Sequence, residues 1–70
     1  MRPSLKSEFR ALCRRKSYTF EQLWPRIQAI MTRNFVWLAA DFTTNDLWLL
    51  ARKRGWIRET RTGRLVVSVN

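Results

Sequence analysis

Side chains able to carry out chemistry are few in this chain, and arginine is the commonest of them. Its 70 residues include no histidine, so the usual proton shuttle near neutral pH is missing. The five acids, Glu8, Glu21, Asp41, Asp46 and Glu59, fall on separate segments, and no pair has the spacing of a metal or acid–base site. Cys13 is the single cysteine; as a nucleophile it would need a base that the chain does not offer, so a buried thiol on a helix flank is its expected role. No glycine-rich phosphate loop and no cysteine–histidine cluster is present. The expectation is a protein that is not an enzyme and holds no metal or cofactor.

What remains is positive charge. Fourteen Lys and Arg against the five acids give a formal charge of +9. Arg2, Lys6, Arg10, Arg14, Arg15 and Lys16 against Glu8 leave +5 in the first sixteen residues. The middle, from Ser17 to Ala51, carries −1, and the part from Arg52 onward carries +5 again. Such an excess repels itself in a compact state, and the commonest polyanion inside a cell is nucleic acid.

The elements that would position these charges follow from apolar spacing. Leu5, Phe9 and Leu12 recur at helical intervals and predict a basic amphipathic helix from Leu5 to Lys16, with Arg10, Arg14, Arg15 and Lys16 outward as a secondary basic surface. Thr19 with Gln22 is a capping box. It opens a second helix, Phe20 to Arg33, whose stripe of Phe20, Leu23, Trp24, Ile27, Ile30 and Met31 is the longest periodic signal in the chain. Pro25 falls inside that stripe, so either the regular helix starts there or it kinks. Phe35 to Ala40 reads as a short helix.

Thr43 with Asp46 begins a third long helix, Thr44 to Arg54, which places Leu47, Leu50 and Ala51 inward and ends in Arg52, Lys53, Arg54 and Gly55. Trp48 sits at the edge of its buried face. Trp56 to Glu59, a turn of Thr60, Arg61, Thr62 and Gly63, and Arg64 to Val69 alternate as a hairpin. Trp24, Ile27, Leu47 and Leu50 are expected at the centre of one core. The fold class is therefore α+β and mostly helical: three to four helices with a C-terminal β-hairpin, forming one domain over residues 1–70. Four Trp, four Phe and one Tyr supply the apolar surface that so small a core requires. No apolar run is long enough to span a membrane, and the segment after Met1 lacks a secretory signal's apolar stretch. An intracellular protein, cytoplasmic or in the nucleoid or nucleus, is expected.

The run Thr43, Thr44, Asn45, Asp46, Leu47 to Gly55, Trp56 and Ile57, with the Gly63 turn and the strand Leu65, Val66, Val67, resembles the recognition helix and wing of winged helix-turn-helix DNA-binding domains. The resemblance covers the last 29 residues. It implies a small regulator of transcription or another DNA transaction, reading duplex DNA with the helix and anchoring with the wing.

The residues themselves fit that use. Asn45, Leu49, Arg52 and Lys53 should point away from the core. Asn can pair bidentately with adenine and Arg with guanine in the major groove, so Asn45 and Arg52 are candidate readers and Lys53 a phosphate contact. Arg58, Arg61 and Arg64 should project together around the Gly63 turn, toward phosphates or a narrow minor groove. Two other partner classes would use the same charge: RNA, or an acidic protein surface on which the chain docks as an interaction module or inhibitor. A homodimer also stays open at this size.

Overall fold

The structure is a computed structural model that describes residues 4–34 and 40–69. Helix α1 spans Leu5–Leu12, and its N-cap Ser4 accepts the Ser7 N–H at 3.0 Å. Phe9 and Leu12 are buried, as their spacing requires. The helix does not run on to Lys16 as expected. The Cys13 and Arg15 amides donate to the carbonyls three residues back, those of Arg10 and Leu12, and the Tyr18 hydroxyl donates to the Leu12 carbonyl as well. In a continuing helix the Lys16 N–H would take that carbonyl. Here the Leu12 carbonyl accepts from the Arg15 N–H and the Tyr18 hydroxyl instead, and residues 13–16 turn.

Helix α2 spans Phe20–Asn34. The capping box is formed, with the Thr19 N–H donating to Gln22 Oε1 at 3.0 Å and the Gln22 N–H to Thr19 Oγ1 at 3.2 Å. Pro25 lies inside this one helix, so the helix does not begin there. The buried line is Leu23, Ile27, Ile30 and Asn34, in steps of four, three and four. Trp24, one residue off that line, is half-buried and not central. Of the four residues expected at the core's centre, Ile27 and Leu47 are fully buried, whereas Trp24 and Leu50 lie at its margin.

Asn34 is the one buried polar residue among those described, at 1% exposure. Its Nδ2 donates to the Ile30 carbonyl at 2.8 Å and to Glu8 Oε2 at 3.0 Å, and the same carboxylate oxygen accepts from Arg33 Nε at 2.8 Å. Glu8 thereby ties α1 to the last turn of α2, and no buried side-chain polar atom among the described residues lacks a partner.

Helix α3 is Thr44–Lys53, β1 is Ile57–Glu59 and β2 is Leu65–Val67, the strands pairing antiparallel with Ile57 opposite Val67 and Glu59 opposite Leu65. Tyr18 extends this ribbon from the far side of the chain. Its N–H donates to the Leu65 carbonyl at 2.7 Å, and its own carbonyl accepts the Leu65 N–H at 2.8 Å. All five elements and Tyr18 contribute to one core: Phe9, Leu12, Tyr18, Leu23, Ile27, Ile30, Leu47, Ala51, Ile57, Leu65 and Val67. Of the short helix expected at Phe35 to Ala40, residues 35–39 lie outside the described residues, and Ala40 is in a turn. No described helix is long and apolar enough to cross a membrane.

Candidate nucleic-acid interface

The third helix is fixed at both ends by its own sequence. At the start, the Asp46 N–H donates to Thr43 Oγ1 at 3.2 Å and the Thr43 N–H donates to Asp46 Oδ2 at 2.8 Å, a reciprocal capping box. At the end, Gly55 takes a φ of 77°, its N–H donates to the Arg52 carbonyl, and the Trp56 N–H reaches the Ala51 carbonyl at 2.8 Å. This is the Schellman arrangement, which needs a left-handed residue after the cap. Arg52 and Lys53 lie in the last turn, where the helix dipole favours positive charge.

With the ends pinned and Leu47 and Ala51 buried, the outward face is set: Asn45, Leu49, Arg52 and Lys53 are all exposed. The sequence placed these four correctly. Leu49 stands between Asn45 and Arg52 at 57% exposure, an apolar side chain at the middle of a polar stripe.

The hairpin turn is equally specific. The Thr60 N–H donates to the Arg64 carbonyl at 2.8 Å, the Gly63 N–H to the Thr60 carbonyl at 3.0 Å, and Gly63 has a φ of 79°. That is a three-residue loop, a type I turn closed by a left-handed glycine. Arg61 is exposed at its tip. Arg58 is exposed too, on the side of the ribbon opposite Ile57 and Leu65. Arg64 departs from expectation, because it does not project with the other two. It is half-buried, and its Nε donates to Ser17 Oγ at 3.1 Å, which holds the hairpin to the segment before α2.

Between α3 and the hairpin lies a groove of about 450 Å³, lined by Phe20, Trp48, Leu49, Arg52, Glu59, Gly63 and Leu65. Among the described residues Arg52 is the one base in it and Glu59 the one acid. Its aromatic lining is Phe20 and Trp48, edge-on at 5.4 Å between centroids, and Trp24 contacts both, stacked on Phe20 at 5.5 Å and 5.7 Å from Trp48. Phe20 is 51% exposed. Trp24, expected in the core, joins Phe20 and Trp48 instead. The signal for this cluster was the spacing of Phe20 and Trp24, four residues apart and so on one helix face.

The secondary basic surface divides. Arg10 and Lys16 are simply exposed, whereas Arg14 and Arg15 line a second cleft between α1 and α2. Arg54, also basic, has its guanidinium over the Trp56 ring, 5.6 Å from the centroid. Among the described residues no cluster of three metal-ligating side chains exists. No family model matches the sequence, and the searches of curated proteins and of solved structures return no match.

Proposed function

We propose that this protein binds duplex DNA through α3 and the hairpin, as a regulator of transcription or another DNA transaction. The observation that carries the proposal is the common exposure of Asn45, Leu49, Arg52 and Lys53 on one face of a doubly capped helix, beside a ribbon tipped by Arg61. A helix surface of that kind offers hydrogen-bonding groups for base edges, an apolar contact for a thymine methyl group, and charge for phosphate. Arg52 and Asn45 read, Lys53 and Arg61 anchor, and Arg58 adds charge from the outer side of the ribbon. Mobility-shift titrations against duplex DNA, single-stranded DNA and RNA at two salt concentrations test it. Duplex DNA should be retarded most strongly at low salt. Absence of any duplex complex at low salt, where electrostatic affinity is greatest, would refute it.

The exposed Phe20 and Leu49 favour a second reading. Two large apolar side chains facing one groove suit a protein surface better than a phosphate backbone, and Arg52 beside them would pair with an acid there. In that case the chain is a docking module for an acidic protein. Leu49→Ser separates the readings, because it should abolish apolar docking yet leave the salt-dependent part of duplex binding intact.

A further inference from the structure

The cleft between α1 and α2 holds a set of charges that the α3 face does not use. It measures about 650 Å³, and four guanidinium groups line it: Arg14 and Arg15 from the turn after α1, and Arg26 and Arg33 from α2. Glu8 is the only acid in its wall. Two of the four are held in place. Arg33 is fixed by Nε donation to Glu8 at 2.8 Å, which leaves its two terminal nitrogens as donors, and Arg15 lies over the Tyr18 ring, 5.6 Å from the centroid. Arg14 and Arg26 are exposed and make no hydrogen bond or ion pair among the described residues. Ala11 and Ala29 are the small residues that leave the cleft open. Four planar guanidinium groups bordering one space, with one carboxylate among them, suit an oxyanion with several equivalent oxygens, and phosphate is the commonest such group.

The position of the cleft decides whose phosphate it is. At roughly 100° per residue, Arg26, Ala29 and Arg33 lie about 150° around α2 from Phe20, which lines the groove beside α3. The molecule is 36 × 23 × 19 Å. DNA resists bending over about 20–30 base pairs, so reaching this cleft from α3 would cost one duplex a bending energy that a second, straight duplex avoids.

We propose that this cleft is a second phosphate-binding site and takes the backbone of a second duplex, so that one molecule bridges two segments of DNA. The proposal rests on duplex binding at α3. Its test is co-capture: one duplex is immobilised, protein is bound to it, and recruitment of a second, labelled duplex is measured per bound protein. The wild type should recruit the labelled duplex, and recruitment should fall steeply with salt. Arg14→Gln/Arg15→Gln/Arg26→Gln should lower recruitment per bound protein about tenfold or more, since up to three phosphate contacts are lost. Arg14→Lys/Arg15→Lys/Arg26→Lys should recover part of it, since lysine keeps the charge without the fork. Arg26→Glu alone, an exposed side chain, should act in the same direction if the triple variant melts early.

Wild-type protein that binds one duplex and recruits no second overturns the inference and leaves the α3 reading standing. Recruitment unchanged in the triple variant also overturns it, because a dimer presenting two α3 faces would behave that way. Duplex binding that survives Asn45→Ala/Arg52→Ala/Arg61→Ala but is lost in the triple variant refutes the α3 reading and overturns the bridging with it, leaving the cleft as the duplex site.

Discussion

Arg61 and Arg64 flank the same glycine, yet the structure separates what their loss should do. Besides Arg52, which reads, and Arg54, which lies over the Trp56 ring, three exposed cations of α3 and the hairpin are left for phosphate: Lys53, Arg58 and Arg61. If each neutralises one phosphate, log K should fall with log salt at a slope of about −2.7, which is roughly a 40-fold loss between 50 and 200 mM. Arg61→Ala removes one contact, so the slope should become about −1.8, with affinity about eightfold lower at 0.1 M and only about fourfold lower at 0.2 M. Arg64 already donates to Ser17 Oγ and lies half-buried against the body of the fold. Arg64→Ala should therefore leave the slope close to wild type and lower the melting temperature. Fluorescence anisotropy with one labelled duplex at five salt concentrations, beside a thermal melt of each variant, measures both quantities. An Arg61→Ala slope equal to wild type, or an Arg64→Ala slope flatter than that of Arg61→Ala, would refute the argument that the hairpin tip reaches phosphate and its base does not.

Three further outcomes are expected. Leu47 is fully buried, so Leu47→Ala should destabilise the domain by about 2–5 kcal/mol; a near-native cooperative melt by circular dichroism would contradict its place in the core. Gly55 has a φ of 77° and open space around the position of a Cβ, so Gly55→Ala should cost about 1–2 kcal/mol through backbone strain alone. A chemically synthesised chain with D-alanine there should match or exceed the wild type in stability, and equal loss with both isomers would place the cost elsewhere. Once a preferred sequence has been selected from a random duplex library, Asn45→Ala or Arg52→Ala should each lose about 1–3 kcal/mol on it and little on other duplexes. Uniform loss on all duplexes would assign both to the backbone.

The parts of this fold that could be read from the chain are those set within a few residues. Thr19 with Gln22 and Thr43 with Asp46 mark helix starts because each box closes over three residues, and Gly55 and Gly63 mark turns because few other residues take a positive φ at low cost. The outward face of α3 followed once Leu47 and Ala51 were known to point inward. What could not be read depends on partners outside the element itself. At the end of α1 the Leu12 carbonyl accepts the hydroxyl of Tyr18, beyond the helix, and the retreat of Arg64 needs Ser17, 47 residues away. Trp24 has the spacing of a core residue, but the wheel cannot say that α2 turns Leu23 inward and gives Trp24 to Phe20 and Trp48. The cationic cleft was hidden by averaging: the middle segment sums to −1, yet both of its arginines, Arg26 and Arg33, face the basic turn after α1.

The pairing of Tyr18 with Leu65 has a consequence for the order of events during synthesis. A chain lengthening at about 5–20 residues per second gives each helix time to flicker in and out many times before the hairpin exists. Until Leu65 emerges, the backbone of Tyr18 has no partner in the ribbon, and the floor formed by Leu65 and Val67 is missing beneath Phe9 and Leu12. The helices made earlier cannot lock. Folding should therefore be a single late step rather than a gradual one, and a chain stopped at Gly63 should show helical circular dichroism without a cooperative melt. The nascent protein would then emerge as a loose, strongly basic polymer and acquire its charge geometry only when the hairpin's second strand has been made.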